Sequence, residues 1–176
     1  MLLGSILRTP QPKSKYWTHL LQVNNNGVIS FDEPIRQCTP DSFPQVNRHP
    51  FVIPFWADVD NVLGGDIFYH QTTDLALLED INQHIIQSFP KSLFTPTWAF
   101  VATWDHVAYY GSTSEKAGFK SGDDTNFYNI PGSHTNDIIN ITPTSNIKSQ
   151  GLWVFQVGDF QVTGVDPPQL NNTCWL

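Results

Sequence analysis

Long apolar runs, clustered basic residues and closely spaced cysteines are all scarce in this sequence, and each scarcity removes a class of function. No uninterrupted apolar stretch approaches the ~20 residues that a membrane-crossing helix needs. Lys and Arg number nine, unclustered, against sixteen Asp and Glu, for a net charge of −7. Nucleic-acid binding needs a basic stripe to displace counterions from phosphates, and none is written here. Charged residues make up only 14% of the chain, against ~25% in an average soluble domain. Aromatic residues reach 13%, with six Trp and twelve Phe. That combination excludes disorder, which needs low hydrophobicity and high charge. It also excludes a protein of long amphipathic helices, which is rich in Glu, Lys and Ala.

The two cysteines, Cys38 and Cys174, form no Cys-x-x-Cys pair. They read as buried or free thiols, or as a long-range disulfide if the compartment is oxidising. The opening Met1-Leu2-Leu3-Gly4-Ser5-Ile6-Leu7 is apolar, but Arg8, Thr9 and Pro10 interrupt it before a signal peptide's apolar core of roughly 7–15 residues and its cleavage site. Either the protein stays inside the cell or its true amino terminus lies outside this sequence. Asn140 and Asn171 head Asn-x-Thr tripeptides, acceptor sites for N-glycosylation that lean towards a secreted context.

The 176 residues fit one domain, punctuated by thirteen Pro and eleven Gly as short strands joined by turns require. Residues 1–15 read as an irregular tail and 165–176 as a second one, with a single domain over 16–164. Residues 17–23 and 28–31 read as a hairpin about Asn24-Asn25-Asn26-Gly27, because Asn and Gly both tolerate positive φ. Further strands are expected at 51–56, with Pro54 marking an edge or a bulge, and at 66–71. Leu75, Leu78, Ile81, Ile85 and Phe89 recur at three- and four-residue spacing, which predicts one helix over 74–89. Thr73 or Asp74 caps its start and Pro90 stops it. Residues 97–104 alternate with apolar side chains on both faces, the pattern of a central strand, continued by 107–110. Residues 111–125 read as loop, and short strands follow at 127–130, 137–141, 152–157 and 160–163. The fold class is α+β, predominantly antiparallel sheet with the helix packed on it.

Chemistry-bearing patterns are few. Asp58, Asp60, Asn61 and Asp66 present hard oxygen atoms suited to calcium, but Val62 and Leu63 break the EF-hand spacing, and a polar turn capping its own backbone is the favoured reading. Asp105 and His106 are adjacent, and neighbours on a strand point to opposite faces, which excludes a relay between them. The other histidines (His19, His49, His70, His84 and His134) are scattered, and Gly64-Gly65 lacks the Lys-Ser/Thr of a phosphate loop. No Gly-x-Ser-x-Gly is present. Trp56, Trp98, Trp104 and Trp153 could line a ligand platform, but their places on alternating strands favour the core. No catalytic residue and no cofactor site are expected, with His106 the best candidate for a hidden hydrolase.

Several longer stretches resemble a known family. Val23-Asn24-Asn25-Asn26-Gly27-Val28-Ile29-Ser30-Phe31, Pro54-Phe55-Trp56-Ala57-Asp58-Val59-Asp60 and Gly65-Asp66-Ile67-Phe68-Tyr69 occur in order. Phe94 to Trp104, Asp105-His106-Val107, Tyr110-Gly111, Gly118 to Asp123 and Gly151 to Phe155 follow. Together they resemble the NIDO domain, the extracellular module of nidogen, alpha-tectorin and related mucin-like proteins, in its alpha-tectorin-like branch. The resemblance covers roughly residues 20–164. It implies a non-enzymatic extracellular or secreted module of cell–matrix adhesion or apical matrix assembly, with extracellular-matrix or cell-surface proteins as partners. Residues 58–65 and 111–124 are then the candidate contact loops; a calcium- or glycan-binding module is the alternative. It also implies a few dozen further residues of strand between Gly111 and Gly118, where this chain has only residues 112–117. An unpaired edge or an incomplete core is the expected consequence.

Overall fold

Two hydrophobic periods, one of two residues near the middle of the chain and one of 3.6 just before it, set up the elements on which the fold is assembled. The computed structural model describes residues 2–8, 21–31, 33–37, 40, 50–90, 95–109, 115–120, 127–155 and 174–175. Along these run β1 (Leu2–Arg8), β2 (Leu21–Asn24), β3 (Val28–Phe31), β4 (Phe51–Trp56), β5 (Val59–Asp60) and β6 (Asp66–Thr72). Then come α1 (Leu75–Ser88), β7 (Trp98–Asp105), β8 (Ala108–Tyr109), β9 (Lys116–Lys120), β10 (Phe127–Asn129), a 3-10 helix (Asn136–Ile141) and β11 (Cys174–Trp175).

The strands pair antiparallel in a four-stranded sheet β11-β1-β7-β6, a five-stranded sheet β10-β9-β4-β3-β2 and a two-stranded pair β5-β8. The predominantly antiparallel α+β class is therefore what the chain adopts. As its alternation predicts, β7 is packed on both sides. Phe100, Ala102 and Trp104 meet Ile29 and Phe31 of the second sheet, with Val23, Val52 and Ile67 at the margin. Ala99, on the opposite face, meets Leu78 and Ile85 of the helix, joined by Ile81 and Phe89. The helix has Asp74 as its N-cap, the carboxylate accepting the Leu77 N–H at 2.9 Å, and Phe89 as its C-cap before Pro90. Leu75, counted into the apolar face by its spacing, is 81% exposed and takes no part in the cluster that holds Leu78 and Ile85.

The hairpin forms with a different turn from the expected one. Asn24 pairs with Val28, leaving a three-residue loop in which Gly27 alone takes positive φ, at 82°. Its N–H returns to the Asn24 carbonyl at 3.2 Å, a tight turn closed by a left-handed glycine. A Cβ on Gly27 would sit 1.9 Å from the Phe55 carbonyl oxygen, so the turn is pressed directly onto β4. Pro54 marks a bulge and not an edge: β4 lies between β3 and β9, and its register against β9 shifts between Ile53 and Trp56. The extra residue resets the alternation. Phe51, Ile53 and Trp56 therefore share one face, while Val52 and Phe55 pack against the cluster on the other.

Several expectations need correction. Leu2–Arg8, read as irregular tail, is a strand, because β7 has apolar faces on both sides and its edge N–H and C=O groups require partners. Within the other tail, Cys174–Trp175 pairs with β1. Of the expected continuation at 107–110, the described residues 107–109 do not extend β7, since His106 at φ 51° turns the chain away and Ala108–Tyr109 pairs with β5. The loop expected at 111–125 contains β9, all five of its residues buried. Lysines at both ends hid its alternation; the Lys120 ammonium lies 5.7 Å from the Phe51 ring centre, a favourable cation–π placement. Residues 137–141 form a 3-10 helix capped by Thr135, whose hydroxyl accepts the Asp137 N–H at 3.1 Å. Its three-residue period puts Ile138 and Ile141 into one core with Phe119, Tyr128 and Phe155. Residues 152–155 form no strand. The Asn146 amide holds them instead, accepting from Val154 N–H at 3.0 Å and donating to its carbonyl at 2.6 Å. The strand expected at 160–163 lies outside the described residues.

Two leucines one helical turn apart test the packing. Leu78→Ala removes a side chain that is 4% exposed and should cost about 2–5 kcal/mol in chemical denaturation. Leu75→Ala should change stability by less than about 0.5 kcal/mol. Equal losses would place the helix face elsewhere.

Candidate functional site

Three segments separated in sequence are drawn together around the loop at residues 58–65. The Asn26 side chain, only 9% exposed, accepts the Val59 N–H at 3.0 Å, while its carbonyl accepts from Ala57 at 3.1 Å. Asn25 donates to the Asn61 side-chain oxygen at 3.4 Å. From the other side, β8 pairs with β5, and the Ala108 N–H donates to the Gly64 carbonyl at 3.2 Å. The hairpin turn and the segment after β7 thus clamp the loop from both flanks. A fixed loop of this kind presents its tip at low conformational cost, because most of the entropy of ordering is lost on folding. The tip carries Val62 at 92% exposure and Leu63 at 73%, two branched apolar side chains held in water.

Asp60 has structural work in this loop. One Asp60 carboxylate oxygen accepts the N–H groups of Val62 at 3.0 Å and Leu63 at 3.4 Å, the self-capped turn that Asp favours. Asp58 is half-buried, Asn61 and Asp66 are exposed, and Asp66 stands opposite Asp105 in the strand register. Among the described residues, no three His, Cys, Asp or Glu side chains gather where they could hold a metal ion.

Asp105 and His106 touch, contrary to the strand-based expectation. The positive φ of His106 ends the alternation, and its Nδ1 comes within 2.8 Å of the Asp105 carboxylate. The imidazole is 87% exposed, so the pair sits in water, where such contacts contribute little. His84 faces Asp80 at 3.9 Å on the exposed side of the helix; His19 and His49 lie outside the described residues. Trp56 and Trp104 are fully buried, and Trp98 and Trp153 partly so, as core packing predicts. Asn140 is exposed at the end of the 3-10 helix, as is Thr142 of its tripeptide. Asn171 and Cys38 lie outside the described residues, and Cys174 is described only as backbone paired with Arg8. Of the second candidate loop, only residues 115–120 are described, and those are largely the buried strand β9. The clamp by Asn26 had no separate signal in the sequence, because it joins residues 33 positions apart.

Comparison with known proteins adds the relatives. The nidogen-like domain family (NIDO) matches residues 19–117 and 112–159. Alpha-tectorin from Mus musculus is 33% identical over 183 aligned positions, covering 77% of this chain and 8% of that protein. Alpha-tectorin from Gallus gallus is 31% identical over 207 positions, covering 90% of this chain and 10% of the relative. Nidogen-2 from Mus musculus is 32% identical over 86% of this chain and 10% of its own length. The chain thus spans a tenth or less of these proteins. No solved structure matches it.

Adjacent glycines give a sharp test of the clamp. Gly65 has φ 85°, and a Cβ there would lie 2.4 Å from the Val107 nitrogen and 2.6 Å from the Asp105 carbonyl oxygen. Gly64 has open space around it. Gly65→Ala should cost at least about 1–3 kcal/mol in thermal or urea unfolding, and Gly64→Ala less than about 0.5 kcal/mol. Indifference at Gly65 would mean that the loop does not pack against the segment after β7.

Proposed function

Because the chain belongs to the nidogen-like domain family, we propose that it is a non-enzymatic extracellular-matrix module serving cell–matrix adhesion or apical matrix assembly through protein–protein contacts. The observation that carries this reading is the fixed loop bearing Val62 and Leu63 at 92% and 73% exposure. Apolar side chains on a pre-ordered loop bind by excluding water from a complementary surface, with little ordering cost on association. Function then resides in a loop positioned by a rigid scaffold. The partner is a matrix or cell-surface protein, and the face that meets this loop is itself apolar. Asn140, exposed in its tripeptide, is a glycan acceptor if the chain passes through the secretory pathway.

Expression in secretory cells behind a supplied signal peptide checks both parts. The protein should emerge folded, with a glycosidase-sensitive mobility shift that Asn140→Gln reduces. It should also be retained on cell-derived matrix. Replacing both Val62 and Leu63 with Ser should leave the melting temperature within a few degrees and weaken retention by roughly tenfold or more, a loss typical of central contact residues. Retention equal to that of the parent would remove this loop as the contact. A folded parent with no affinity for any matrix or cell surface would sink the adhesion reading itself.

A further inference from the structure

The edge of β7 away from β6 is occupied by a strand from outside the family pattern. Since β7 is packed on both faces, the N–H and C=O groups along both its edges need strand partners. On one edge β6 pairs from Asp66↔Asp105 to Thr72↔Ala99. On the other, β1 pairs along its whole length, from Leu2↔Trp104 to Arg8↔Trp98. Yet β1 lies outside the stretches that define the family, which begin at residue 19. The family pattern is matched in two parts that overlap at residues 112–117, shortly after β7. The 183 positions aligned with the mouse alpha-tectorin fall on 77% of 176 residues, about 136, so about 47 of them have no residue here. For the chicken protein, 207 positions on 90%, about 158 residues, leave about 49. The edge of β7 is thus filled by a segment that precedes the matched stretches.

We propose that this edge of β7 is a strand-docking site and that β1 is its exchangeable occupant, supplied by the same chain or by a second copy. The site takes an extended apolar segment in antiparallel register. Recognition through backbone hydrogen bonds is tolerant of sequence, which is how strand addition generally works. Gly4 opposite Ala102 allows close approach at the centre. Residues 9–20 join β1 to β2, and twelve residues reach up to ~40 Å, enough to carry β1 to a neighbouring molecule. Exchange keeps every β1–β7 hydrogen bond, so concentration decides between the closed and the exchanged forms. A short covalent connection gives the closed form an effective concentration in the mM range. This inference stands apart from the adhesion reading and survives its failure.

Cysteine pairs in the full chain, with Cys38→Ser and Cys174→Ser, test it. One chain carries Leu3→Cys and the other Thr103→Cys, and the two are refolded together at about 1 mM, near the effective concentration of the tether. A disulfide-linked dimer is expected. Leu3→Cys with Val101→Cys, two residues out of register, should yield several-fold less. A single chain carrying both Leu3→Cys and Thr103→Cys should close internally. Internal closure without any linked dimer overturns the exchange, and failure of both overturns β1 as the occupant of this edge. The unmodified chain gives a measurement free of these substitutions. Refolded at about 1 mM, it should contain a dimer, by light scattering, that is several-fold less abundant after refolding at about 10 µM. A monomer at both concentrations overturns the proposal.

Discussion

Burial of both faces of β7 is the constraint on which the rest of the structure depends. A strand that is apolar on one side can rest against a single layer; one apolar on both needs a layer on each. Here α1 covers Ala99 and the five-stranded sheet covers Phe100, Ala102 and Trp104. The two sheets are also joined by a polar contact inside that core, where the Trp104 indole N–H donates to the Asn24 carbonyl at 3.1 Å. Asn24 opens the tight turn of the hairpin, so this one bond fixes the turn against the far layer. The Asn24 side chain meanwhile accepts the Asn26 N–H at 2.6 Å and donates to the Ile35 carbonyl. A buried polar atom left without a partner would be costly at this position, and each of these groups has one.

The turn's position is transmitted to the surface. Asn26 follows Asn24 by two residues and binds the backbone on either side of Asp58. The path from the buried indole to the exposed Val62 therefore runs through one asparagine-rich turn and one clamped loop. Nothing along it requires an enclosed cavity. The buried aromatic residues along this path hold the loop and its apolar tip in a fixed position.

How much of this was legible beforehand depended on whether the determining interaction was local. The helix was read to within a residue at each end, because its period, the Asp74 cap and Pro90 all lie within the segment itself. The central strand was equally clear, since eight residues alternated with apolar side chains on both sides. Lys116–Lys120 was missed because two residues, Ala117 and Phe119, carry its inward face, and the lysines at its ends look like solvent-facing charge. Asp137 and the isoleucines after it suggested a strand, but a Thr cap and a three-residue period made a 3-10 helix. The contact of His106 with Asp105 was excluded on strand geometry that a single positive φ suspends. At the candidate contact loop, the polar turn could be read from the residues, whereas the exposure of Val62 and Leu63 and the flanking clamps, which join segments dozens of residues apart, could not. The same holds for Leu2–Arg8, whose strand depends on an edge nearly a hundred residues away.

The bulge in β4 acts as a change of parity. Before it, odd-numbered side chains point to one layer; after it, even-numbered ones do, so that Trp56 joins Phe51 and Ile53 on the same side. Every residue downstream inherits that inversion until the strand ends at the clamped loop. The segment from Ile53 to Trp56 can therefore absorb a change of side chain far more readily than a change of length. A deletion of one residue there would turn a tryptophan that is fully buried towards the opposite layer, and would carry the loop that follows it out of reach of Asn26.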